Sequence, residues 1–357
     1  MYLLDNYWIH FAVFSVGILA FVIIMVMGFI YFERRGIGRF QVRQGPNRTG
    51  PMGMLQPVAD AIKVLIKEDI IPARGDKIIF WLAPLVTFVP VLMIFAVVPF
   101  RSGAPALLAD LNIGILYVVA VSSIVSVGVF MAGWSSNNKY SLLGAMRDVA
   151  QLVSYEIPLA LSIMGVVLIT GSLSLTDIVE AQSIPLVFLQ PLGFFIFFIA
   201  VLAEVNRTPF DLLEADSEIV AGFNIEYSGM KFALFYLAEY CETVVLSAIA
   251  VTLFFGGWKG PVLPPFLWFV IKIFAVFFVI IWIRSTIPRF RIDQVMGFAW
   301  KFLLPLALIN LVIIGIQVLI WKEALPWFVI ILNIAIMAIL VLVWSRFFKL
   351  GGGRVEV

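Results

Sequence analysis

Cysteine, histidine and charge are what this sequence has least of. The single cysteine, Cys241, cannot form an intramolecular disulfide, and an iron–sulfur cluster needs several thiolates. The single histidine, His10, excludes a bis-histidine haem and a histidine-built metal site, so no metal centre is expected in the chain. Charged residues are 13% of the 357, far below the quarter found in soluble domains, while 62% are hydrophobic. Walker loops, dinucleotide fingerprints and nucleophile elbows are also missing, which leaves no motif for nucleotide hydrolysis or a resident redox centre. A secretory leader is not expected either, since the first apolar run is too long for an h-region and no small-residue cleavage site follows it.

What is abundant is long apolar sequence. With a mean hydropathy of +1.07 and repeated runs of about 20 apolar residues, the chain reads as an all-α polytopic membrane protein in a single integral membrane domain, 1–357. Ten-residue alternating segments of the kind a β-barrel needs are not found. Nine spans are predicted, at 9–32, 78–99, 113–133, 152–171, 185–203, 232–256, 266–285, 302–321 and 325–346. Of the 24 Lys and Arg residues, 20 fall in the segments that follow odd-numbered spans and three in the remaining connections. By the positive-inside rule, the N-terminus is then outside and the C-terminus cytoplasmic. Basic residues spread along one membrane face in this way do not make a nucleic-acid site.

The cytoplasmic connections carry the charge, glycine and proline, and function is expected there. The first, 33–77, holds nine basic residues. Within it Leu55, Val58, Ala59, Ile62, Leu65 and Ile66 form one helical stripe and Asp60, Lys63 and Lys67 another, which predicts an amphipathic interfacial helix. A positive-inside anchor explains the same residues equally well. The second connection carries Lys139, Arg147 and Asp148 and ends on Glu156, followed by Pro158, which is expected to loosen the helix. Topology explains most of the fourth, which places Arg284, Arg289, Arg291 and Lys301 about Asp293.

The stretch 204–242 is the most unusual, with eight of the chain's 22 carboxylates against Arg207 and Lys231. In the acidic loop, 204–231, Thr208-Pro209-Phe210-Asp211 reads as a helix start, Thr208 at the N-cap and Asp211 closing a capping box. Asp211, Glu214 and Glu218 would then share a face, with Asp216 off it; a solvated acidic surface accounts for that pattern too. Glu239 and Glu242 lie inside the sixth span and Glu204 at the end of the fifth. A charge near the bilayer centre costs about 2.5–3.5 kcal/mol on insertion scales, which argues against three of them being incidental. Carboxylates ~4 Å apart repel by about 4 kcal/mol at an effective dielectric of about 20, enough to make them share protons. Glu156, Glu204, Glu239 and Glu242 are therefore candidates for a buried proton relay, with charge pairing to Lys272 or Arg207 as the competing explanation.

Four stretches carry a family resemblance: ERRGIGRFQVRQGPNRTGP with LQPVADAIK, NNKYSLLGAMRDVAQLVSYE, EVNRTPFDLLEADSEIVAGFNIEYSGMKFALFYLAEY, and IRSTIPRFRIDQVMGFAWKFLLPLAL. In order and spacing they resemble the quinone-site membrane subunit of NADH–quinone oxidoreductase, respiratory complex I, the H-subunit family that corresponds to mitochondrial NADH dehydrogenase subunit 1. The resemblance implies a component of a redox-driven proton translocase with no catalytic centre of its own and no bound cofactor. Quinone would be the substrate, and flavin and iron–sulfur clusters would reside in partner subunits. It further implies a quinone chamber bordered by Arg34, Asp60 and Lys63, with Asp211, Glu214, Asp216, Glu218 and Glu226 beneath it, and a relay through Glu156, Glu204 and Glu239. Partners would be the other membrane-arm subunits and a peripheral arm carrying the terminal iron–sulfur cluster, in a bacterial cytoplasmic (inner) membrane. Three departures from the family pattern stand out: Leu213 in place of a proline, Asp216 in place of a glutamate, and Ser123 where some members have a glutamate. Two other readings are kept open. One is the equivalent membrane subunit of an energy-converting hydrogenase; the other is a free-standing secondary transporter, for which inverted repeats would be expected and none is read.

Overall fold

The computed structural model describes residues 7–100, 110–212, 222–321 and 327–347, and every regular element among them is helical. In chain order these are α1 (Tyr7–Phe40), α2 (Gln56–Ile66), α3 (Lys77–Phe95), α4 (Gly114–Ser135), α5 (Lys139–Thr170), α6 (Leu175–Ala181), α7 (Leu186–Leu189), α8 (Pro191–Glu204), α9 (Gly229–Phe254), α10 (Pro265–Thr286), α11 (Ile292–Phe298), α12 (Leu304–Ile320) and α13 (Phe328–Phe347). A π-helical turn at Ala299–Leu303 joins α11 to α12. Among the described residues, seven helices are long and apolar enough to cross a membrane, and Pro191–Glu204 and Phe328–Trp344 are shorter apolar helices. The chain is thus a polytopic helical bundle.

Helix starts follow the side chains available. Asp76 accepts from the Ile78 and Ile79 amides at the start of α3, Asn138 accepts from Tyr140 N at the start of α5, and Pro191 and Pro265 occupy first turns where no amide is needed. Gly171, with φ of 71°, ends α5 in the left-handed conformation that glycine adopts without penalty.

Helix α9 is the centre of the bundle. Its apolar window is 89% buried, against 24–50% for the other six long spans, and α1, α2, α3, α6, α8 and α10 all pack on it. Of the carboxylates on α9, Glu242 is accordingly buried inside the protein and Glu239 is half-buried. Close approach elsewhere depends on small residues. A Cβ at Gly128 on α4 would lie 2.4 Å from Thr87 Oγ1 and 2.8 Å from Thr87 N on α3.

Four expectations from sequence are corrected. Helix α1 continues through Phe40 and α5 begins at Lys139, so the charged ends of the first and second connections are helical. Polar side chains that reach water or protein partners do not stop a helix. The fifth span is broken at Gln190 into α7 and α8. Its break is held by a reciprocal amide pair: Gln317 Nε2 donates to Asn333 Oδ1 at 2.6 Å, and Asn333 Nδ2 donates to Gln317 Oε1 at 3.1 Å and to Leu189 O at 2.6 Å. The fourth correction concerns Thr208–Phe210, which forms a turn with no helix start, so Asp211 closes no capping box. Pro158 stands inside α5, which continues past it to Thr170.

Candidate functional site

The carboxylates read as a relay come together around two small cavities in the bundle. Glu156 on α5, Glu204 at the end of α8 and Glu242 on α9 line the first with Ser122, Ser123 and Ser126 of α4; its volume is about 10 Å³. Glu204, Glu239, Glu242 and Asn206 line the second, of about 20 Å³, with Thr87, Phe223 and Phe235. Val125 and Leu152 lie in both walls. A void of about 10–15 Å³ on this measure holds one water, so each can seat one among its polar groups. Glu204 is 7% exposed, and its Oε2 has no hydrogen-bond partner among the described residues. Glu242 is equally buried. Ser123, the departure from the family pattern, hydrogen-bonds the Glu156 carboxylate, so this position still contacts the first cavity's acids.

A buried charge cluster adjoins these cavities on the side of α1. Val22, Val26, Phe29 and Glu33 lie on the buried stripe of α1. Glu33, 3% exposed, is ion-paired with Arg284 of α10 and lies 3.7 Å from Arg207 Nη1. The Arg207 guanidinium in turn sits 4.5 Å over the ring of Tyr240, next to Glu239 on α9. Burial works against the charge of Arg207, but Glu33, Tyr240, Glu239 and Tyr236 outweigh it and raise its pKa, so it remains a fixed cation.

The first connection folds back on α1. Arg34 is ion-paired with Asp60 of α2, and Gln56 Nε2 donates to the other Asp60 oxygen at 2.9 Å. Arg35 and Tyr31 both bond Met52 O. Lys63 is exposed one turn beyond Asp60, and the apolar stripe Val58, Ile62, Leu65 and Ile66 of α2 is exposed as well. The loop's far end is held to the start of α9. Ser228 accepts from Ile70 N at 3.0 Å and donates to Glu68 O at 3.1 Å. Lys231 Nζ lies 2.9 Å from Asp69 Oδ2 and 3.7 Å over the Trp81 ring. Tyr227 stacks on Phe80 at 4.0 Å, and burial raises its phenol to about 12 although the contact with Ser135 Oγ at 3.1 Å opposes the shift.

The remaining expected residues are placed as follows. Asp211 Oδ2 lies 2.9 Å from Arg289 Nη2, and Phe290 N donates to Pro209 O at 3.0 Å, which ties the third connection to the fourth. Glu226 accepts from Asn138 Nδ2 at 2.8 Å, at the start of α5. Glu214, Asp216 and Glu218, with Leu213, lie outside the described residues. Lys272 does not pair with the acids. Its Nζ donates to Phe255 O, Gly257 O and Lys259 O at 2.7–2.9 Å, closing the end of α9. Among the described residues no group of three or more His, Cys, Asp or Glu is arranged to hold a metal.

Sequence reasoning did not single out Glu33, Arg284 or Asp148. A signal existed for Glu33, which continues the apolar i, i+4 and i+7 spacing of α1 without a break. For Arg284, counted as a topological charge, the sequence carries no comparable sign.

The NADH dehydrogenase family matches residues 13–315 of the chain. Two strains of Dehalococcoides mccartyi have similar proteins, each named as the H-subunit of NADH-quinone oxidoreductase. They are 63% and 64% identical over 354 residues, which is 99% of this chain and 100% of each relative. A second H-subunit of NADH-quinone oxidoreductase, from Geobacter sulfurreducens, is 49% identical over 310 residues, 84% of this chain and 94% of that one.

Proposed function

Because the chain belongs to the H-subunit branch of the NADH dehydrogenase family, we propose that it forms the membrane wall of a quinone chamber and carries the first acids that couple quinone reduction to proton movement. It is a membrane component of a redox-driven oxidoreductase and needs the other subunits to act. The coupling reading rests on one observation: four carboxylates from α5, α8 and α9 share the walls of two abutting voids, each able to seat a water. Water between carboxyl groups supplies the hydrogen-bond contact that a proton needs to pass from one to the next.

In this reading the chamber lies toward the Arg34–Asp60 pair and the exposed apolar stripe of α2, which would offer a charged contact to a headgroup and an apolar one to a tail. The buried Glu33, Arg207 and Arg284 cluster stands between that pair and Glu239, so a change of charge in the chamber would be felt at the acids. Electrons would reach quinone from an iron–sulfur cluster in a peripheral-arm partner. Nine crossings, with the N-terminus outside and the C-terminus cytoplasmic in a bacterial inner membrane, agree with the basic residues and with the two shorter apolar helices serving as spans.

The test uses the assembled complex in membrane vesicles. Glu204→Gln and Glu239→Gln are each expected to lower quinone reduction at least ten-fold and to leave electron transfer to an artificial acceptor at the flavin unchanged. Normal quinone turnover with normal proton movement in both variants would end the coupling reading.

A further inference from the structure

Asp148 is the most deeply buried carboxylate in the described structure, and neither the expected relay nor the chamber uses it. It lies on α5 with no exposed surface, and among the described residues no hydrogen bond of good geometry reaches either of its oxygens, although the Asn206 side chain lies alongside. Burying a carboxyl group without partners costs several kcal/mol. No nearby cation in the described residues offsets that cost, so the group is not explained as a structural ion pair.

Its position is specific. Asp148, Leu152 and Glu156 recur at i, i+4 and i+8 on one face of α5, so the three stand in line along the helix. Leu152 lines both cavities, Glu156 lines the first and Asn206 the second. Gln151, one turn after Asp148, fixes the neighbouring turn. Its Nε2 lies 2.7–2.9 Å from Ala203 O, Asn206 Oδ1 and Phe210 O. The charged groups facing Asp148 are Asp211, from the connection bound to Arg289, and Glu242 on α9. Asp148 thus stands between a loop acid at the proposed chamber and the acids around the voids.

We propose that Asp148 is a proton-exchange site that joins Asp211 to the Glu204 and Glu242 cavity. One carboxylate oxygen takes up a proton from the Asp211 side. The carboxyl then releases a proton to a water in the second cavity, and the carboxylate is restored for the next transfer. Asn206 positions the group, and Gln151 holds Asn206. The inference rests on the coupling reading above and adds to it an entry point on α5.

The experiment compares Asp148→Asn with Glu204→Gln in the assembled complex in vesicles, each rate divided by that with the artificial acceptor. Asp148→Asn keeps the shape and removes the proton exchange, and a fall of at least ten-fold in quinone reduction or in protons moved per electron is expected. Asp148→Glu and Asp148→Gln are the second pair. They add the same methylene and differ only in the acid, so the Glu variant is expected to exceed the Gln variant at least five-fold. Equal rates within that pair, or full activity in Asp148→Asn beside an inactive Glu204→Gln, overturn the assignment of Asp148 alone. Full activity in Glu204→Gln and Glu239→Gln as well removes the coupling reading itself.

Discussion

The Glu33 carboxylate of α1 is ion-paired with the Arg284 guanidinium of α10, 251 positions further along the chain. Glu33 is 3% exposed, and the second cation within reach is Arg207 at 3.7 Å. Two guanidinium groups around one carboxylate leave a net positive charge beside Glu239, inside the bundle.

Removing Glu33 leaves two cations without their shared carboxylate, and removing Arg284 leaves Glu33 with Arg207 alone; breaking a buried pair costs about 3–5 kcal/mol in comparable settings. Arg284→Ala and Glu33→Ala are each expected to lower the melting temperature of the purified complex or prevent its assembly. The double variant Glu33→Ala, Arg284→Ala should be less damaging than the sum of the singles. A strictly additive double-mutant cycle would show that the pair does not act as a unit.

Arg34 and Asp60 hold each other at the exposed end of α1, where little stability is at stake. Asp60→Ala is expected to raise the KM for a short-chain quinone about ten-fold, a change of about 1.4 kcal/mol, with kcat within about two-fold. Arg34→Ala should behave alike. Steady-state kinetics at several quinone concentrations separate KM from kcat, and unchanged kinetics in both variants count against a chamber at this pair.

Lys272 serves the backbone. Lys272→Met leaves three carbonyls at the end of α9 without their donor and is expected to destabilise the protein by about 1–3 kcal/mol. Quinone turnover per surviving complex should not change. A coupling defect at normal stability would contradict a purely structural role for Lys272.

Gly128→Val tests the close contact of α4 with α3. Its Cβ would meet Thr87 at 2.4 Å, and part of that contact is backbone that cannot rotate away. Separation of α3 from α4 is expected to cost about 1–3 kcal/mol, measured by thermal inactivation of the complex, and Gly128→Ala should do less harm than Val. Wild-type stability in Gly128→Val would contradict the packing described.

The membrane class, most of the helix positions, the amphipathic α2 and the gathering of Glu156, Glu204, Glu239 and Glu242 were legible in the sequence. Each follows from a local property: a long apolar run, a stripe of fixed spacing, or an acid where acid is expensive. What was not legible depends on distant residues. Glu33 and Arg284 each look like interfacial charges until the fold joins them. Asp148 looks like part of a solvated connection until α5 is seen to begin at Lys139. The capping-box reading at Thr208 failed because the same residue types also form turns, and contacts of Gln151 with Ala203 O and Phe210 O favour the turn here.

Helix α5 runs unbroken for 32 residues, about 48 Å at the usual rise, longer than a hydrocarbon core of about 30 Å. It therefore acts as a ruler: Asp148 and Glu156 are set about 12 Å apart along its axis, and that interval cannot shorten or lengthen without breaking the rod. In the proposed mechanism, proton passage between them is then set by what fills that fixed interval: the Leu152 side chain on the same face of α5, and Asn206, whose Oδ1 lies 2.9 Å from Gln151 Nε2.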